Sequence, residues 1–226
     1  ALVRKRPDYD LERVEWVVGD LFTDSVYAHY IGQADAIIHL AGCISPPTVE
    51  EYFQVNVLGT RRLLFAAQNQ GCPRVIYLSS YDAVCNQKGS YGKSKKMAEK
   101  EVLDSKLRFT IIRPTVIYGG QGRSGLFPIL RLIRKGPFVP IIGSGRQLLQ
   151  PLYVGDLCQT MISVLKDFNN YSQAFVNIGG PEKLNWLEVV KYLGRRESVS
   201  TVPIPIPRSL LLLGLAPLTF FDRPKI

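Results

Sequence analysis

Two residues with clear chemical potential, Tyr91 and Lys95, lie in the sequence SYGKSK at positions 90–95, at the start of a helix-forming run. On a helix, residues four apart share one face, so a phenol and an ammonium group at this spacing can point into the same cleft. A nearby cation favours the phenolate and is expected to lower a Tyr pKa from about 10, which would allow acid–base chemistry at neutral pH. Of the 11 Tyr residues, Tyr91 alone has a Lys four positions later; a solvated basic helix face is the alternative interpretation.

Short apolar segments alternate with helical patterns along the first half of the chain. Strands are predicted at residues 1–3, 14–18, 35–42, 74–80 and 109–114, with helices at 24–31, 49–70 and 91–103. This alternation predicts an α/β fold, a Rossmann-like doubly wound parallel sheet with helices on both faces. Ligands of such sheets bind beyond the carboxyl ends of the strands. The residues expected there are Asp20, Gly42, Ser80 and Pro114.

The sequence pattern changes after residue 119, where stretches rich in Gly and Pro separate predicted helices at 126–135, 156–165 and 185–193. We predict a first domain over residues 1–119 and a smaller, interleaved substrate-side lobe over residues 120–226. Residues 174–193, which begin with a predicted strand at 174–178, are expected to return to the Rossmann sheet.

Composition narrows the range of functions. The content of 46% hydrophobic and 21% charged residues is typical of a globular protein, and the formal net charge is +9. The basic charge suits phosphorylated small molecules, nucleic acid or an anionic membrane, but no run of Lys and Arg exceeds three residues, and nucleic acid is not favoured. Two His and four scattered Cys predict no metal site and free thiols in a reducing compartment, such as the cytoplasm or an organelle matrix. No signal peptide or apolar run of transmembrane length is found.

The C-terminal part of the sequence is strongly apolar. A PIPIP sequence at 203–207 leads into residues 210–221, which are interrupted by Gly214 and Pro217. Three interpretations stay open for residues 203–221: a wall of the substrate pocket, which we favour, a peripheral membrane contact, or a contact with another subunit. A homodimer is also left open.

Eight motifs carry a family resemblance by their order. They are VGDL (18–21), DAIIHLAG (35–42), NVLGT (56–60), VIYLSS (75–80), YGKSK (91–95), IRPTVIYG (112–119), VGDL (154–157) and NIGGP (177–181). The series resembles the extended or atypical short-chain dehydrogenase/reductase superfamily, the NAD(P)-dependent epimerase/dehydratase-like group. The resemblance implies that residues 1–119 form a dinucleotide-binding domain. It also implies an oxidoreductase or epimerase that moves a hydride between the nicotinamide and a carbinol or carbonyl carbon of a small-molecule substrate.

The resemblance also implies the catalytic residues. Tyr91 would donate and accept the proton, and Lys95 would lower its pKa and hydrogen-bond the nicotinamide ribose. A Ser or Thr normally orients the substrate oxygen. Ser80, the last residue of its strand, is the favoured candidate, although counting back from Val84 places Tyr81 at that position.

The cofactor residues follow from the same motifs. Asp20 would meet the adenine amino group, and Arg4 would favour NADP over NAD by contacting the 2′-phosphate, unless it belongs to a solvated basic loop. Asn56 would support the site from a helix. The remaining expected contacts are Leu21 beside the adenine ring, the backbone of Leu40, Ala41 and Gly42, and Pro114, Thr115 and Ile117 beside the nicotinamide.

Two departures from the family pattern limit these expectations. The Gly-rich turn that holds the pyrophosphate does not occur, so we expect the sequence to be a fragment whose first family strand is missing. Leu149 stands where nucleotide-sugar epimerases carry an Arg, and Arg146 lies three residues earlier, which argues against a standard nucleotide sugar. The alternative function is a catalytically idle, cofactor-binding subunit of a larger, respiratory-type complex.

Overall fold

The computed structural model describes residues 1–44, 46–72, 74–86, 89–120 and 125–207. A π-helical turn (Gln54–Leu58) lies between two α-helices, and a short 3₁₀ helix (Tyr81–Ala83) follows one of the strands. In chain order the elements are β1 (Leu2–Val3), β2 (Val17–Val18), α1 (Asp24–Gly32), β3 (Ile37–His39), α2 (Val49–Phe53), α3 (Gly59–Asn69), β4 (Arg74–Leu78), α4 (Ser90–Asp104), β5 (Arg108–Pro114), β6 (Ile117–Tyr118), α5 (Phe127–Lys135), β7 (Phe138–Ile142), β8 (Leu148–Leu149), β9 (Leu152–Tyr153), α6 (Val154–Lys166), α7 (Phe168–Tyr171), β10 (Ala174–Ile178), β11 (Leu184–Asn185), α8 (Trp186–Arg196) and β12 (Val202–Ile206).

The chain divides into two compact units. The first contains Ala1–Arg113 and Met161–Asn177, and the second contains Pro114–Thr160 and the residues from Ile178 onward. This division differs in detail from the sequence-based one. It falls at Arg113 rather than at residue 119, and α8 lies in the second unit, although β10 lies in the main sheet of the first.

A four-stranded sheet in the order β10-β5-β4-β3 forms the centre of the first unit. β3, β4 and β5 are parallel, with Ile37 opposite Val75 and Val75 opposite Phe109. β1 and β2 form a separate parallel pair. The middle strands are continuous apolar runs because parallel strands are buried on both faces, and Val75 and Ile111 are fully buried. The predicted α/β fold with a parallel sheet is confirmed.

Residues 49–70 differ from the single long helix that their pattern predicts. The helix is interrupted by the π turn, which places Asn56 on an inward-facing bulge where it is 1% exposed. A π turn widens a helix locally and re-aims one side chain, and such turns are frequent at functional sites. C-terminal to it, Leu64 on α3 packs with Ala98 and Val102 of α4 against the sheet.

In its described residues, the second unit contains three strand pairs: β6 with β9, β7 with β12, and the antiparallel pair β8 with β11. Val139 and Ile141 of β7 pack against Ile133 of α5 and Val190 of α8 to form its core. Among the described residues of either unit, no helix has the length and apolar character required to cross a membrane.

Candidate functional site

The structure brings Ser80 and Tyr91 together. Ser80 caps the 3₁₀ helix after β4, where its hydroxyl accepts a hydrogen bond from the Asp82 N–H at 3.2 Å. Tyr91 lies in the first turn of α4, and the Ser80 side chain lies near enough to its phenol to act on the pKa of Tyr91 in the lowering direction. Tyr81, the alternative at this position, is 45% exposed. This geometry supports Ser80 as the group that would orient a substrate oxygen beside Tyr91.

Gly92 allows this approach. A Cβ at this position would lie 2.6 Å from the carbonyl oxygen of Asp82, a backbone atom that no rotamer change can move. Glycine is therefore required for α4 to pack this closely against the 3₁₀ helix that begins after Ser80. The spacing of the YGKSK motif alone does not reveal this packing role of Gly92.

The pKa of Tyr91 is shifted opposite to the sequence-based expectation. Burial raises it, the nearby Asp82 and Tyr52 raise it further, and the hydrogen bond from Ser80 acts in the lowering direction without reversing the shift. The expected lowering by Lys95 is therefore wrong for this arrangement. The Lys95 ammonium group donates to the Leu78 carbonyl at 2.7 Å, and its own pKa is shifted toward neutrality.

Lys95 is a buried cation, with only 3% of its surface exposed. Burial lowers its pKa to about 7, and the charge of Glu99 opposes this shift. Its Nζ lies 4.3 Å from the centre of the Tyr77 ring, a cation–π contact that partly replaces hydration. A Cβ placed on Gly42 would lie 3.8 Å from Nζ, so the loop after β3 passes directly beside this amine.

Asn56 ties the loop after β3 to the first turn of α4. Its Oδ1 accepts from the Cys43 N–H at 2.7 Å, and its Nδ2 donates to the Cys43 carbonyl at 3.0 Å and to Ser94 Oγ at 2.9 Å. Ser94 in turn donates to the Tyr91 carbonyl at 2.8 Å. These contacts are consistent with the predicted supporting role of Asn56. The part taken by Ser94 was missed, because a Ser inside a helix has no sequence signal for such a contact.

His39 extends this network on the buried side. Its Nε2 is 2.8 Å from Thr60 Oγ1, and Thr60 donates to the Asn56 carbonyl at 2.7 Å. Burial first, and then the charge of Lys95, lower the pKa of His39 to about 3, so the imidazole is neutral at pH 7. Sequence reasoning placed His39 in a motif without assigning it a role.

A buried ion pair lies one helical turn beyond Lys95. The carboxylate of Glu99 accepts two hydrogen bonds from Arg113, at 2.7 and 2.8 Å, and one from the Ser79 hydroxyl at 2.7 Å. Burial acts to raise the pKa of Glu99, but hydrogen bonds from Arg113 and Ser79 outweigh it and the pKa is lowered. The pair joins α4 to the end of β4 and to β5. The sequence indicated this pair only through the position of Glu99, four residues after Lys95 on the same helix face.

The residues expected to contact adenosine lie at the edge of the β1–β2 pair. Because Val3 lies opposite Val18 in parallel register, Arg4 and Asp20 follow their strands at the same edge, and both are exposed. One Asp20 carboxylate oxygen accepts from the Phe22 N–H at 2.7 Å. The Leu21 side chain is 7% exposed and packs in the core, so only its backbone could face a ligand. Their cofactor roles stay predictions.

The remaining expected cofactor residues occupy two places. Leu40, Ala41 and Gly42 are exposed at the carboxyl end of β3, as a close approach of a dinucleotide to the backbone would require. Pro114, Thr115 and Ile117 belong to the second unit. There the Thr115 hydroxyl donates to the Gln150 carbonyl, and Ile117 of β6 lies opposite Leu152 of β9. Their predicted position beside the nicotinamide stays a prediction. Within the described part of the chain, no cluster of three or more His, Cys, Asp or Glu residues could hold a metal ion.

The shifted pKa of Lys95 predicts a stability change with pH. An unfolded Lys has a pKa of about 10.4. Between about pH 7 and that value, the unfolded chain binds more protons than the folded chain, so stability rises as pH increases through this window.

We expect Lys95→Met to show a smaller rise in Tm between about pH 7 and pH 9 than the native chain, measured by thermal unfolding. Lys93→Met, which removes an exposed Lys of the same helix, should keep the native slope. Equal slopes for all three chains would contradict the burial of the Lys95 charge.

Comparison with known proteins gives a family match and several relatives. A sequence model described as the NAD dependent epimerase/dehydratase family matches residues 2–179. The N-acetyl-alpha-D-glucosaminyl-diphospho-ditrans,octacis-undecaprenol 4-epimerase of Escherichia coli O157:H7 is 25% identical over 217 residues, which are 86% of this chain and 65% of that protein. Subunit 9 of the NADH dehydrogenase [ubiquinone] 1 alpha subcomplex, mitochondrial, of Arabidopsis thaliana is 30% identical over 146 residues, 64% of this chain and 36% of the subunit. The chain thus spans less than two thirds of the length of either relative.

Solved structures show the same fold. The UDP-glucuronic acid 4-epimerase from Bacillus cereus, in complex with NAD, superposes with a TM-score of 0.79 and 18% sequence identity. The match covers 87% of this chain and 70% of that protein. At this identity the likeness establishes the arrangement of helices and strands, in agreement with the Rossmann-like prediction.

Proposed function

Because the chain belongs to the NAD dependent epimerase/dehydratase family, we propose that it serves an NAD(P)-dependent oxidoreductase or epimerase reaction at a carbinol or carbonyl carbon. The observation that carries this proposal is the close packing of the segment that begins at Ser80 against the first turn of α4, which holds Tyr91, with the buried amine of Lys95 one helical turn further on. A family fold alone does not fix an activity. This set of groups, however, has the chemistry that transfer of a proton to or from a carbonyl oxygen requires.

Each side chain has a separate task in the proposed reaction. Ser80 orients the substrate oxygen by a hydrogen bond, and Tyr91 donates its proton to that oxygen when a carbonyl is reduced and takes it back when a carbinol is oxidised. The raised pKa of Tyr91 keeps the phenol protonated at neutral pH, ready to act as an acid. Lys95 is held beside the loop containing Gly42 by its bond to the Leu78 carbonyl. When bound, the nicotinamide supplies or accepts the hydride.

The residues at the strand ends fit a dinucleotide. Gly42 is exposed and has no side chain to obstruct a close approach to its backbone, and a Cβ there would also crowd Asn56 Oδ1 at 3.3 Å. Asp20 is exposed at the end of β2 and would accept from the adenine amino group, and Arg4 is exposed at the end of β1. We propose NADP as the preferred form, because a guanidinium group suits a 2′-phosphate and not a 2′-hydroxyl.

The preference for NADP gives a direct prediction. Replacing Arg4 with Glu removes a charge-assisted hydrogen bond and introduces repulsion, so the Kd for NADP should rise by about 10- to 100-fold while the Kd for NAD changes little. Calorimetric titration with each dinucleotide measures both values. Arg6→Glu is a suitable control because Arg6 is also exposed but pairs with Asp10 at 2.9 Å. Equal losses for NAD and NADP in the Arg4 variant would show that Arg4 does not discriminate between them.

In our proposal, the protein does not contact its substrate as an enzyme contacts a standard nucleotide sugar. Leu149, at the position where an Arg was expected, lies in β8 opposite Leu184 of β11 and carries no charge for a diphosphate. Arg146 is exposed in the turn before β8. We propose that the anionic part of any phosphorylated substrate is not held from position 149.

The proposed activity is tested by mixing the purified protein with reduced NADP or NAD and a panel of ketones, including ketones of sugars and sterols. Oxidation of the nicotinamide, followed by its absorbance, is the expected result. Tight binding of a dinucleotide without turnover of any compound would argue for the second candidate function.

That second candidate is a cofactor-binding subunit without turnover. It is favoured by the similarity to the mitochondrial NADH dehydrogenase subunit of Arabidopsis thaliana. Stable association of the native protein with large partners, combined with bound dinucleotide that no substrate changes, would support this function. The arrangement of Ser80 and Tyr91 would then have only a structural role.

A further inference from the structure

The β7–β12 pair of the second unit has one covered face and one open face. Val139 and Ile141 of β7 point into the core, where they are 0% and 6% exposed. The strands are parallel and in register, with Phe138 opposite Val202 and Ile142 opposite Ile206, so alternate residues of both strands share the other face. We call this the open face; its six residues, all apolar, are Phe138, Pro140, Ile142, Val202, Ile204 and Ile206.

The open face is exposed to a degree that is unusual for apolar side chains placed side by side. Phe138 is 64% exposed, Val202 48%, Ile204 43% and Ile142 40%. Scattered single hydrophobic residues need no explanation on a protein surface, but a contiguous apolar patch marks an interaction site. We therefore expect the open face to bind a partner that buries apolar side chains.

Proline residues make the outer edges of this pair poor sites for another strand. The Val202 N–H donates to the Pro137 carbonyl at 2.7 Å, so the even-numbered amides of β12 face β7 and the odd-numbered ones face outward. Two of those outward positions are Pro203 and Pro205, which have no N–H group to donate. Strand addition by another protein is thereby disfavoured. Six residues are also far fewer than the roughly 20 to 30 per side of a stable protein interface.

The net positive charge of the second unit indicates an anionic partner for the open face. This unit contains twelve Lys and Arg residues against five Asp and Glu residues, a net charge of +7 out of the +9 of the whole chain. The first unit, with sixteen against fourteen, has a net charge of only +2. Exposed basic residues stand at both ends of β7: Lys135 three residues before it and Arg146 four residues after it.

We propose that the open face is a docking site for the surface of an anionic lipid bilayer. The six apolar side chains would enter the boundary between headgroups and acyl chains, and the basic side chains around them would contact lipid phosphates. The apolar sequence at positions 210–221 lies outside the described residues, and the proposal does not rest on it. The proposal does not depend on the proposed reaction, since it rests on the second unit alone.

Co-sedimentation with lipid vesicles tests this site. The purified protein is mixed with vesicles of phosphatidylcholine alone or of phosphatidylcholine with phosphatidylglycerol. We expect binding to the second kind, weakening as salt is added because the electrostatic part is screened. The double variant Phe138→Gln/Ile204→Gln should lose binding by about tenfold or more, because two apolar groups no longer enter the bilayer.

The matched control is Phe65→Gln. Phe65 is 60% exposed, as Phe138 is at 64%, but it lies on α3 in the first unit. This control should bind vesicles as the native chain does, and circular dichroism should show that all variants are folded.

Three results would overturn the proposal. The first is equal vesicle binding by the native chain and the folded double variant. The second is a native dimer that the double variant converts to a monomer in size-exclusion chromatography, without any vesicle binding, which would make a second copy the occupant. The third is loss of binding on removal of residues 208–226 together with full binding by the double variant, which would assign the contact to the C-terminal residues.

Discussion

Replacing Tyr91 with Phe should lower kcat by about 10²- to 10⁴-fold, the usual contribution of a positioned acid or base. The variant removes one hydroxyl from a largely buried residue beside Ser80. The phenyl ring keeps the packing, so the Kd for the dinucleotide should change by less than about threefold. Steady-state kinetics and calorimetric titration measure the two quantities separately.

Tyr81→Phe is the matched control for this experiment. It removes the same hydroxyl from a neighbouring Tyr that is 45% exposed, and we expect near-native kcat. Loss of activity in Tyr81→Phe, with retention in Ser80→Ala, would move the substrate-orienting role from Ser80 to Tyr81. Native activity in Tyr91→Phe would exclude Tyr91 as the acid–base group.

Replacing Glu99 with Ala should lower the free energy of unfolding by about 3–5 kcal/mol, the cost of leaving one partner of a buried ion pair alone. Arg113, whose side chain is 10% exposed, would lose both hydrogen bonds to the carboxylate, and Ser79 would lose its acceptor. Urea or thermal unfolding measures the change. Because these groups join α4 to the strand that ends beside Ser80, the geometry of the proposed site should loosen as well.

The same helix provides the control. Glu101 also forms a hydrogen-bonded pair with an arginine, Arg61, but that arginine side chain is 59% exposed. Glu101→Ala should cost only about 0–1 kcal/mol, because water replaces an exposed ion pair. Equal destabilisation by the two variants would contradict a special role for the buried pair.

The contribution of Glu99 also depends on pH. Its folded pKa is lowered, so its stabilisation is complete above the unfolded value of about 4.3 and is lost as pH falls through the folded pKa. The difference in the free energy of unfolding between the native chain and the Glu99→Ala variant should therefore become smaller at acidic pH.

The sequence was sufficient to predict the parallel sheet and the strand ends at which the functional groups cluster. Apolar strands alternating with helical segments allow few other topologies, and the carboxyl ends of parallel strands share one edge. The spacing of Tyr91 and Lys95 placed both on α4. The sheet, the strand ends and the helix spacing depend on local sequence patterns that any sequence with this fold must contain.

The electrostatics of the site could not be predicted in the same way. The pKa of Tyr91 depends on how deeply the phenol is buried, and that of Lys95 on its contacts with Tyr77 and the Leu78 carbonyl. A helix pattern shows which residues share a face but does not show which backbone groups face them. The pairing of Glu99 with Arg113 likewise depends on how α4 packs against β5, which follows from tertiary structure.

The most direct test of the central claim is the transfer of a label from the cofactor. The protein is incubated with reduced NADP carrying deuterium at C4 of the nicotinamide and with a panel of sugar and sterol ketones, and the products are analysed by mass spectrometry. We predict that deuterium appears on the former carbonyl carbon of one of these compounds, and that Tyr91→Phe reduces this transfer at least about 100-fold. Bound, intact dinucleotide whose deuterium reaches none of these compounds would contradict the account and favour a subunit without turnover.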